Sequence, residues 1–513
     1  MTSNGKSRIL DAAVSVIIAA ICALAYRKIT RLWWMWDDPF HLNLSATTFG
    51  QLFFGRHFWQ TTPAQVYAPL LLVSLKADRL AFGLNANAFY LHQLAAVSLG
   101  AIALYFALRQ TLDPIAASMT ALLAFLGPAF ARTVPQLMTR HYFEGLIFVL
   151  AAWIAFARKK PALSAILYFI STLAKEVFVP LPLVLLAVYP KRWRELFPHG
   201  AALIVYSIAR IVILGSVHGY GYTVQAYRWP LAIVTAPVRI VRALIGDAGI
   251  VGICLVVAVL SCVAAIFIRD RHQRLVIGAA AFAAIVPILP VSIDVQSRYV
   301  LLTWLLASVA AGLLLKRFTL VILIVAVIAN RAQWTHTMRE TTRMSAEARA
   351  YASSTAGDLL LNPLVPPASI IELRNLTHST GRWLYDQQPI CAKRVSGGHI
   401  LSYASASRGV REMSAGDIAS ECASIRSAPL SVTLSGAGDR VFWNFGPYRD
   451  GTYHIILNDG LHGFEVPRAV GFRLSGMKTL TLRVRYDSPT GWSTYSPDLT
   501  VDLAHFETVT WYR

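Results

Sequence analysis

The sequence predicts an α-helical polytopic membrane protein whose C-terminal part is a β-rich domain. Hydrophobic residues make up 56% of the 513 residues and charged residues only 14%, whereas a soluble domain carries about 25% charged residues. The mean hydropathy is +0.51. Apolar runs long enough to cross a membrane fill residues 1–330, and runs that alternate with period two, as half-buried strands do, follow in residues 331–513.

The first apolar run, residues 9–26, is predicted to be a signal anchor. A span needs about 20 apolar residues, and the segment that follows this run lacks the small-residue cleavage site of a removable signal peptide. Further apolar runs bring the predicted number of transmembrane helices to about eleven. They lie at 88–108, 114–131, 142–157, 162–174, 177–189, 200–215, 247–268, 275–290, 299–315 and 318–330.

Basic residues are concentrated in the membrane half of the chain. Residues 1–330 hold 28 Lys and Arg against 11 Asp and Glu, while residues 331–513 hold 19 against 16, which argues against a nucleic-acid-binding domain. With the N-terminus inside, four basic clusters between spans fall on the side that the positive-inside rule makes cytoplasmic. They outweigh the basic segment 26–31, which follows the first span on the outer side. An odd number of spans then places residues 331–513 outside. The clusters lie at 157–160, 191–195, 269–274 and 316–317.

Two domains follow from these patterns. Residues 1–330 form a membrane domain with a large first outer loop at 33–88, and residues 331–513 form an exported domain that starts helical and continues β-rich. Cys391 and Cys422 lie in the exported part, where they either form a disulfide, as an oxidising compartment permits, or remain free thiols.

The first outer loop carries an acidic pair among tryptophans, in the stretch "WWMWDDPFHLNLS". Tryptophan suits the level of the lipid headgroups. A carboxylate there can act as a general base that takes a proton from an acceptor hydroxyl. Asp37 and Asp38 are therefore candidate catalytic residues, and the alternative is a simple interfacial turn, since "DDP" is good turn chemistry.

Two further motifs place cations at the outer ends of spans. In "LAKEVFVPLPLVLL" (173–186), Lys175 can bind a phosphate as a point charge, with Glu176 balancing it. In "SIDVQSRYVLL" (292–302), Arg298 can clamp a phosphate and Tyr299 can pack on a sugar. The alternatives are a snorkelling lysine and an interfacial Arg–Tyr anchor.

Together these motifs resemble those of the GT-C superfamily of polyprenyl-phosphate-dependent glycosyltransferases, above all its protein O-mannosyltransferase-like and aminoarabinose-transferase-like branches. An arginine that some relatives carry is replaced by Ala68, which leaves no role for that position. In the second outer loop, where the family often has a histidine or an acid, His141 and Glu144 are present. The matching segments are "DDPF" (37–40), "YAPL" (67–70), "FGLNANAFYLHQ" (82–93), "MTRHYFEG" (138–145), "AKEVFVPLP" (174–182) and "SRYVLL" (297–302).

The resemblance implies a hexosyl- or pentosyltransferase of a bacterial inner (plasma) membrane. Its donor would be a polyprenyl-phosphate-linked sugar and its acceptor an envelope glycan, lipid or protein. Asp37 would be the base, with Asp38 as the second choice. Lys175 and Arg298 would hold the donor phosphate. No certain cofactor follows, a divalent metal is possible, and its ligands are unknown. The implied substrate-binding residues are His41, His141, Glu144, Glu176 and Tyr299.

Two other functions stay open at this point. A transporter or flippase of lipid-linked sugar would also place charged groups in a helix bundle, although its path needs polar groups through the midplane. An inactive GT-C relative would serve as an envelope scaffold.

The tail itself holds aromatic residues that either stack on a glycan acceptor or pack in its core. They are Trp443, Tyr448, Trp492, Tyr495 and Trp511.

Overall fold

The chain divides into two compact units. The first comprises Met1–Leu32 and Leu44–Thr341, and the second comprises Trp33–Asn43 and Thr342–Arg513. The segment with the acidic pair therefore belongs to the same unit as the C-terminal part of the chain. The structure, a computed structural model, describes residues 3–62, 66–215, 229–269, 271–291, 295–362, 367–394, 398–404, 409–437, 440–457, 460–473, 479–502 and 508–512.

The first unit is helical. Helix α2 and helices α18 to α20 belong to the second unit, and the division at Thr341 falls within α17. The helices are α1 (Ser3–Tyr26), α2 (Asp38–Leu44), α3 (Phe49–Phe54), α4 (Arg56–Thr61), α5 (Pro69–Phe82), α6 (Ala86–Leu108), α7 (Pro114–Phe125), α8 (Pro128–Thr133), α9 (Arg140–Ala157), α10 (Pro161–Ala174), α11 (Leu181–Val188), α12 (Phe197–Leu214), α13 (Trp229–Ile245), α14 (Gly249–Arg269), α15 (Arg271–Ile285), α16 (Leu301–Leu315), α17 (Thr319–Ala352), α18 (Pro367–Thr377), α19 (Gln388–Cys391) and α20 (Ala415–Ala423).

Six helical segments of the described residues are long and apolar enough to cross a membrane, and four shorter apolar helices accompany them. The chain is therefore an integral membrane protein, and the predicted helical membrane class is confirmed. Helix α13, which contains two arginines, was not among the predicted apolar runs. The six segments are Arg8–Arg31, Ala86–Leu108, Leu137–Ala157, Pro190–Leu214, Gly249–Ile268 and Ser297–Ala352.

One predicted span is interrupted. Helix α7 ends at Phe125, and α8 begins three residues later. A helix end at membrane depth leaves carbonyl groups that need donors from the protein. The Tyr26 hydroxyl donates to the Phe125 carbonyl (2.6 Å). The Trp304 indole donates to the Ala124 carbonyl (2.9 Å). The interruption therefore ties α7 to α1 and to α16.

Helices α7 and α16 approach each other closely at Gly312. A Cβ atom at this position would lie 2.0 Å from the hydroxyl oxygen of Thr120, which is fully buried in α7. Gly278 in α15 is a contrasting position, because a Cβ atom there would have nothing within 4 Å. The missing side chain at Gly312 is thus a packing requirement.

We expect Gly312→Ala to destabilise the protein and Gly278→Ala to leave its stability equal or slightly higher. The methyl group at position 312 overlaps Thr120, and overpacking costs about 1–3 kcal/mol. The methyl group at position 278 enters open space and removes a flexible backbone position. Thermal unfolding of the purified full chain in detergent measures both. Equal melting temperatures for the two variants would contradict the close approach of α7 and α16.

The described part of the second unit forms three sheets. The first has β1 and β2 parallel, β1 and β3 parallel, and β4 antiparallel to β3. The second has the order β11-β10-β7-β8 with β12 also on β10, and the third has the order β13-β5-β6-β9; both are antiparallel. The strands are β1 (Leu359–Leu361), β2 (Arg382–Leu384), β3 (Ile400–Ala404), β4 (Gly409–Glu412), β5 (Ser431–Ala437), β6 (Arg440–Gly446), β7 (Thr452–Leu457), β8 (His462–Val466), β9 (Ala469–Arg473), β10 (Thr479–Asp487), β11 (Ser493–Tyr495), β12 (Leu499–Asp502) and β13 (Val509–Tyr512).

The second and third sheets share one hydrophobic core, and four of the five aromatic residues singled out in the tail lie in it or pack against it. Leu434 and Val484 are fully buried there. Tyr495 is also buried, and its hydroxyl donates to the Asp386 carboxylate (2.6 Å). The structure therefore favours core packing over sugar stacking for these rings. Trp443 lies in the core, and Tyr448, Trp492 and Trp511 pack against it.

A buried ionic network fixes the strands of the second sheet to the segment before α19. The Arg485 guanidinium lies 3.2 Å from the Asp386 carboxylate and 3.0 Å from that of Asp487. Burial alone would raise the pKa of Asp487. The hydrogen bond from His454 and the charge of Arg485 outweigh it, and they hold the pKa below its usual range. Such compensation is what a buried charge requires.

The two cysteines of the second unit form a disulfide. Cys391 at the end of α19 is bonded to Cys422 in α20. Of the two states that the sequence left open, the structure has the paired one.

Candidate active site

Lys175 lies at a break between two helices of the first unit. Helix α10 ends at Ala174, Lys175 is extended, and α11 begins only at Leu181. The two prolines that follow lack the N–H needed to continue the first helix. Lys175 is only 4% exposed, and its ammonium nitrogen lies 3.2 Å from the Glu176 carboxylate. The predicted Lys–Glu pair is thus formed and held away from solvent.

Arg298 lies in the short 3-10 turn that precedes α16, Ser297–Val300. Its guanidinium stacks on the Tyr299 ring, 5.2 Å from the ring centroid. One of its terminal nitrogens lies 3.7 Å from the sulfur of Met138. A second predicted cation is therefore positioned at the start of α16, against the residues that precede α9.

The ring of Tyr142 in α9 joins these two pairs. The Lys175 ammonium lies 5.8 Å from its centroid. Its hydroxyl interacts electrostatically with Glu176 and with both Arg298 and its neighbouring tyrosine. The buried His141 ring lies 4.6 Å from the Tyr142 ring. Five predicted site residues thus gather around a tyrosine that the sequence analysis did not single out. We call this group the Tyr142 cluster.

An apolar cavity of about 1070 Å³ begins beside the Tyr142 cluster. Val177, Phe178 and Leu302 line both this cavity and a smaller depression that contains Tyr142. Side chains from α6, α9, α11, α14, α15 and α16 form the remaining walls. Lys175 and Arg298 do not line the cavity, but each lies within a few residues of its wall, at Val177 and Leu302. Cations next to an apolar wall suit an amphiphile with an anionic head.

Arg140, two residues before Tyr142, is the centre of a second polar cluster. Its guanidinium has no exposed surface. It donates to the Asp78 carboxylate (2.5 Å) in α5 and to the Phe89 carbonyl (2.6 Å) in α6. Since a charge at membrane depth must be compensated, these bonds hold α5, α6 and α9 together.

Glu144 belongs to this second cluster. It accepts a hydrogen bond from the Ser74 hydroxyl (2.5 Å), and the His92 ring nitrogen lies 3.7 Å from it. The other ring nitrogen of His92 lies 2.7 Å from Asp78. Within the described residues the second carboxylate oxygen of Glu144 is buried without a hydrogen-bond partner. This oxygen can accept a hydrogen bond from a ligand.

The sequence analysis did not single out Arg140 or its partner Asp78. An arginine at membrane depth is as costly as an acid. Arg140 stands directly before His141 in the sequence, and Asp78 stands in the helix that follows "YAPL". Pairing the basic residues with the acids would have suggested this contact.

Asp38 stabilises a turn in the second unit. It is 1% exposed and begins α2. Its carboxylate accepts a hydrogen bond from the Met35 N–H (3.1 Å), and its own N–H donates to the Met35 carbonyl (2.9 Å). These bonds close the turn from Met35 to Asp38. This is the turn that the sequence offered as the alternative to catalysis.

Asp37 differs from its neighbour. It is half-buried, and in the described part of the chain its carboxylate has no hydrogen bond or ion pair. Its carbonyl accepts from both the backbone N–H (3.0 Å) and the ring Nδ1–H (2.8 Å) of His41. The preceding Trp36 has φ +47°, a strained conformation for a bulky residue. Strain of this kind often accompanies function.

The segment with the acidic pair is held by the C-terminal part of the chain. The Trp33 N–H donates to the Ser345 hydroxyl (2.6 Å), and its ring packs on the cluster that contains Tyr351. The Asn43 side chain donates to the Glu372 carboxylate. Deleting the tail would therefore remove the support of this segment as well.

The arrangement offers two kinds of chemistry. The Tyr142 cluster supplies cations that can hold a phosphate. In the second unit, Asp37 supplies a carboxylate that can take a proton. Among the described residues no group of three or more His, Cys, Asp or Glu side chains could hold a metal ion.

Comparison with known proteins gives similarity of structure alone. No protein-family model matches the chain, and no curated protein matches it. It is similar to the crystal structure of ArnT from Cupriavidus metallidurans bound to undecaprenyl phosphate, with 12% identity and a TM-score of 0.45 over 85% of this chain and 94% of that chain. The apo structure of the same protein gives 12% identity and a TM-score of 0.42 over 78% and 93%. The likeness is one of structure at low sequence identity. At this identity it assigns no substrate and no catalytic residue to the present chain.

We expect Asp38→Ala to lower the melting temperature of the purified full chain and Asp37→Ala to leave it nearly unchanged. Loss of a buried hydrogen bond to a charged group costs about 1.5–3 kcal/mol, whereas a change away from such features stays within about 0.5 kcal/mol. Fluorescence-detected unfolding at neutral pH measures both variants. Equal shifts would mean that the two carboxylates do not differ in structural role.

Proposed function

We propose that the chain is an integral-membrane glycosyltransferase that moves a sugar from a polyprenyl-phosphate donor to an acceptor outside the cytoplasm. The observation that carries the proposal is the gathering of Lys175 and Arg298 around Tyr142 beside the apolar cavity. A polyprenyl-phosphate sugar combines the matching parts, since its chain is apolar and its phosphate is anionic. The acceptor is an envelope glycan, lipid or protein.

In the proposed reaction, Asp37 takes the proton of an acceptor hydroxyl. The hydroxyl oxygen bonds to the anomeric carbon of the sugar, and the bond from this carbon to the phosphate oxygen breaks. Lys175 and Arg298 stabilise the charge that develops on the departing polyprenyl phosphate. The unpartnered carboxylate of Asp37 supports this choice over Asp38. Glu176 orients Lys175, and the proposed contacts to sugar or acceptor are His41, His141, Glu144 and Tyr299.

The proposed orientation follows the basic clusters. The membrane domain, residues 1–330 with its first loop at 33–88, lies in a bacterial inner membrane, and the domain at 331–513 lies outside the cytoplasm. The clusters between spans would then face the cytoplasm, as the positive-inside rule requires.

A transporter of lipid-linked sugar is the second candidate, because the cavity extends along the helices. A sugar headgroup that crosses the membrane needs polar groups at the midplane. The charged residues that line the cavity are Asp113, Lys316 and Arg317, which lie together at the end away from the Tyr142 cluster. The wall in between is apolar, and this favours transfer over transport.

We expect the purified protein to transfer sugar from a polyprenyl-phosphate donor to envelope glycan. Asp37→Asn should lower kcat by about 10²–10⁴-fold, the usual contribution of a general base. Lys175→Gln and Arg298→Gln should each raise the KM for the donor by about tenfold, as loss of a charge-assisted bond does. Lys191→Gln, an exposed lysine of a basic cluster, is the matched control.

Each alternative has its own outcome in this assay. Transfer by Asp37→Asn at the rate of the unchanged protein would contradict the assigned base. Movement of the lipid across proteoliposomes without a covalent change would support the transporter. A folded protein that transfers no sugar from any polyprenyl-phosphate donor would support the scaffold.

A further inference from the structure

The cavity has a second polar end that the proposed reaction does not use. Leu302 at the start of α16 and Leu315 at its end both line it. The helix rises about 20 Å between these two residues, which is about two thirds of the roughly 30 Å hydrocarbon thickness of a membrane. Helix α11 lines it in the same way from its first turn to Val188.

The residues at the far end come from the loops after α6 and α16. We call this group the basic end, and its members are Gln110, Thr111, Asp113, Lys316 and Arg317. The two cations are exposed and outnumber the acid. Arg317 lies 3.7 Å from the Asp113 carboxylate. In the described part of the chain, Lys316 has no ion pair.

The acid at this end is already engaged by the protein. One carboxylate oxygen of Asp113 accepts hydrogen bonds from the N–H groups of Ile115 (3.0 Å) and Ala116 (3.1 Å). It therefore caps α7, and its other oxygen faces Arg317. One positive charge remains at the basic end, next to the side-chain amide of Gln110, whereas the Thr111 hydroxyl already donates to the Leu108 carbonyl (3.3 Å). Apolar walls begin directly beside these groups, at Leu108 and Leu315.

We propose that the basic end is a binding site for the phosphate headgroup of an anionic phospholipid, whose acyl chains enter the cavity from the leaflet on that side. The excess positive charge complements the phosphate, and the apolar wall receives the chains. This site is separate from the Tyr142 cluster, because the length of α16 lies between them. The protein would thus hold two different lipids, one at each end of the cavity.

The test compares two pairs of basic residues in the full chain. Lys316→Gln with Arg317→Gln removes the cations of the basic end. Lys191→Gln with Arg194→Gln removes two exposed cations that do not line the cavity. Native mass spectrometry in neutral detergent then measures bound phosphatidylglycerol, with phosphatidylcholine as the zwitterionic comparison. A third variant, Ala310→Phe, narrows the cavity and leaves the charges in place.

We expect the first pair of substitutions to reduce bound phosphatidylglycerol by about tenfold, given the usual contribution of basic residues at an anionic surface. The second pair of substitutions should leave bound phosphatidylglycerol nearly unchanged. Ala310→Phe should reduce bound phosphatidylglycerol without lowering the melting temperature of the protein. An equal loss of bound phosphatidylglycerol in both pairs of variants would overturn the proposal, because it would show that the lipid responds to surface charge in general. Unchanged binding in the first pair or in Ala310→Phe, or equal binding of phosphatidylcholine, would also overturn it.

Discussion

The first unit depends on one buried guanidinium. Arg140 has no access to solvent, and its guanidinium donates to groups on α5 and α6, the Asp78 carboxylate and the Phe89 carbonyl. Removing one partner of a buried ion pair costs about 3–5 kcal/mol, so the three helices cannot move independently. Because Tyr142 follows two residues later on α9, the same constraint fixes the position of the ring around which Lys175 and Arg298 gather.

The proposed function rests on what lies around this ring. One side presents cations that are held by their own partners, Glu176 and Tyr299. The other side opens through Phe178 and Leu302 into an apolar cavity. A charged head and a long chain are thus accommodated by adjacent surfaces. The proposed base, Asp37, lies in the second unit directly after the strained Trp36. Within the described residues its carboxylate has no hydrogen bond or ion pair.

The sequence predicted those parts of the structure that local patterns encode. The apolar runs became helices, and the alternating runs predicted in residues 331–513 became strands such as β7 and β10. The break at Lys175 falls between the predicted apolar runs 162–174 and 177–189. Contacts between residues that are far apart in the sequence could not be predicted from local patterns. Nothing in the local pattern shows that the Trp33 N–H donates to the Ser345 hydroxyl. The grouping of residues 33–43 with the C-terminal part of the chain therefore could not be predicted. For the same reason the tail aromatics could not be assigned to the core.

The central claim is that the Tyr142 cluster holds a lipid phosphate and the cavity holds its chain. An experimental structure of the full protein with a polyprenyl phosphate tests this most directly. We expect density for the phosphate within hydrogen-bonding distance of Lys175 and Arg298, with the chain continuing past Phe178 along α16. Phosphate density away from both cations, or a chain that lies outside the cavity on the lipid-facing surface, would contradict the account.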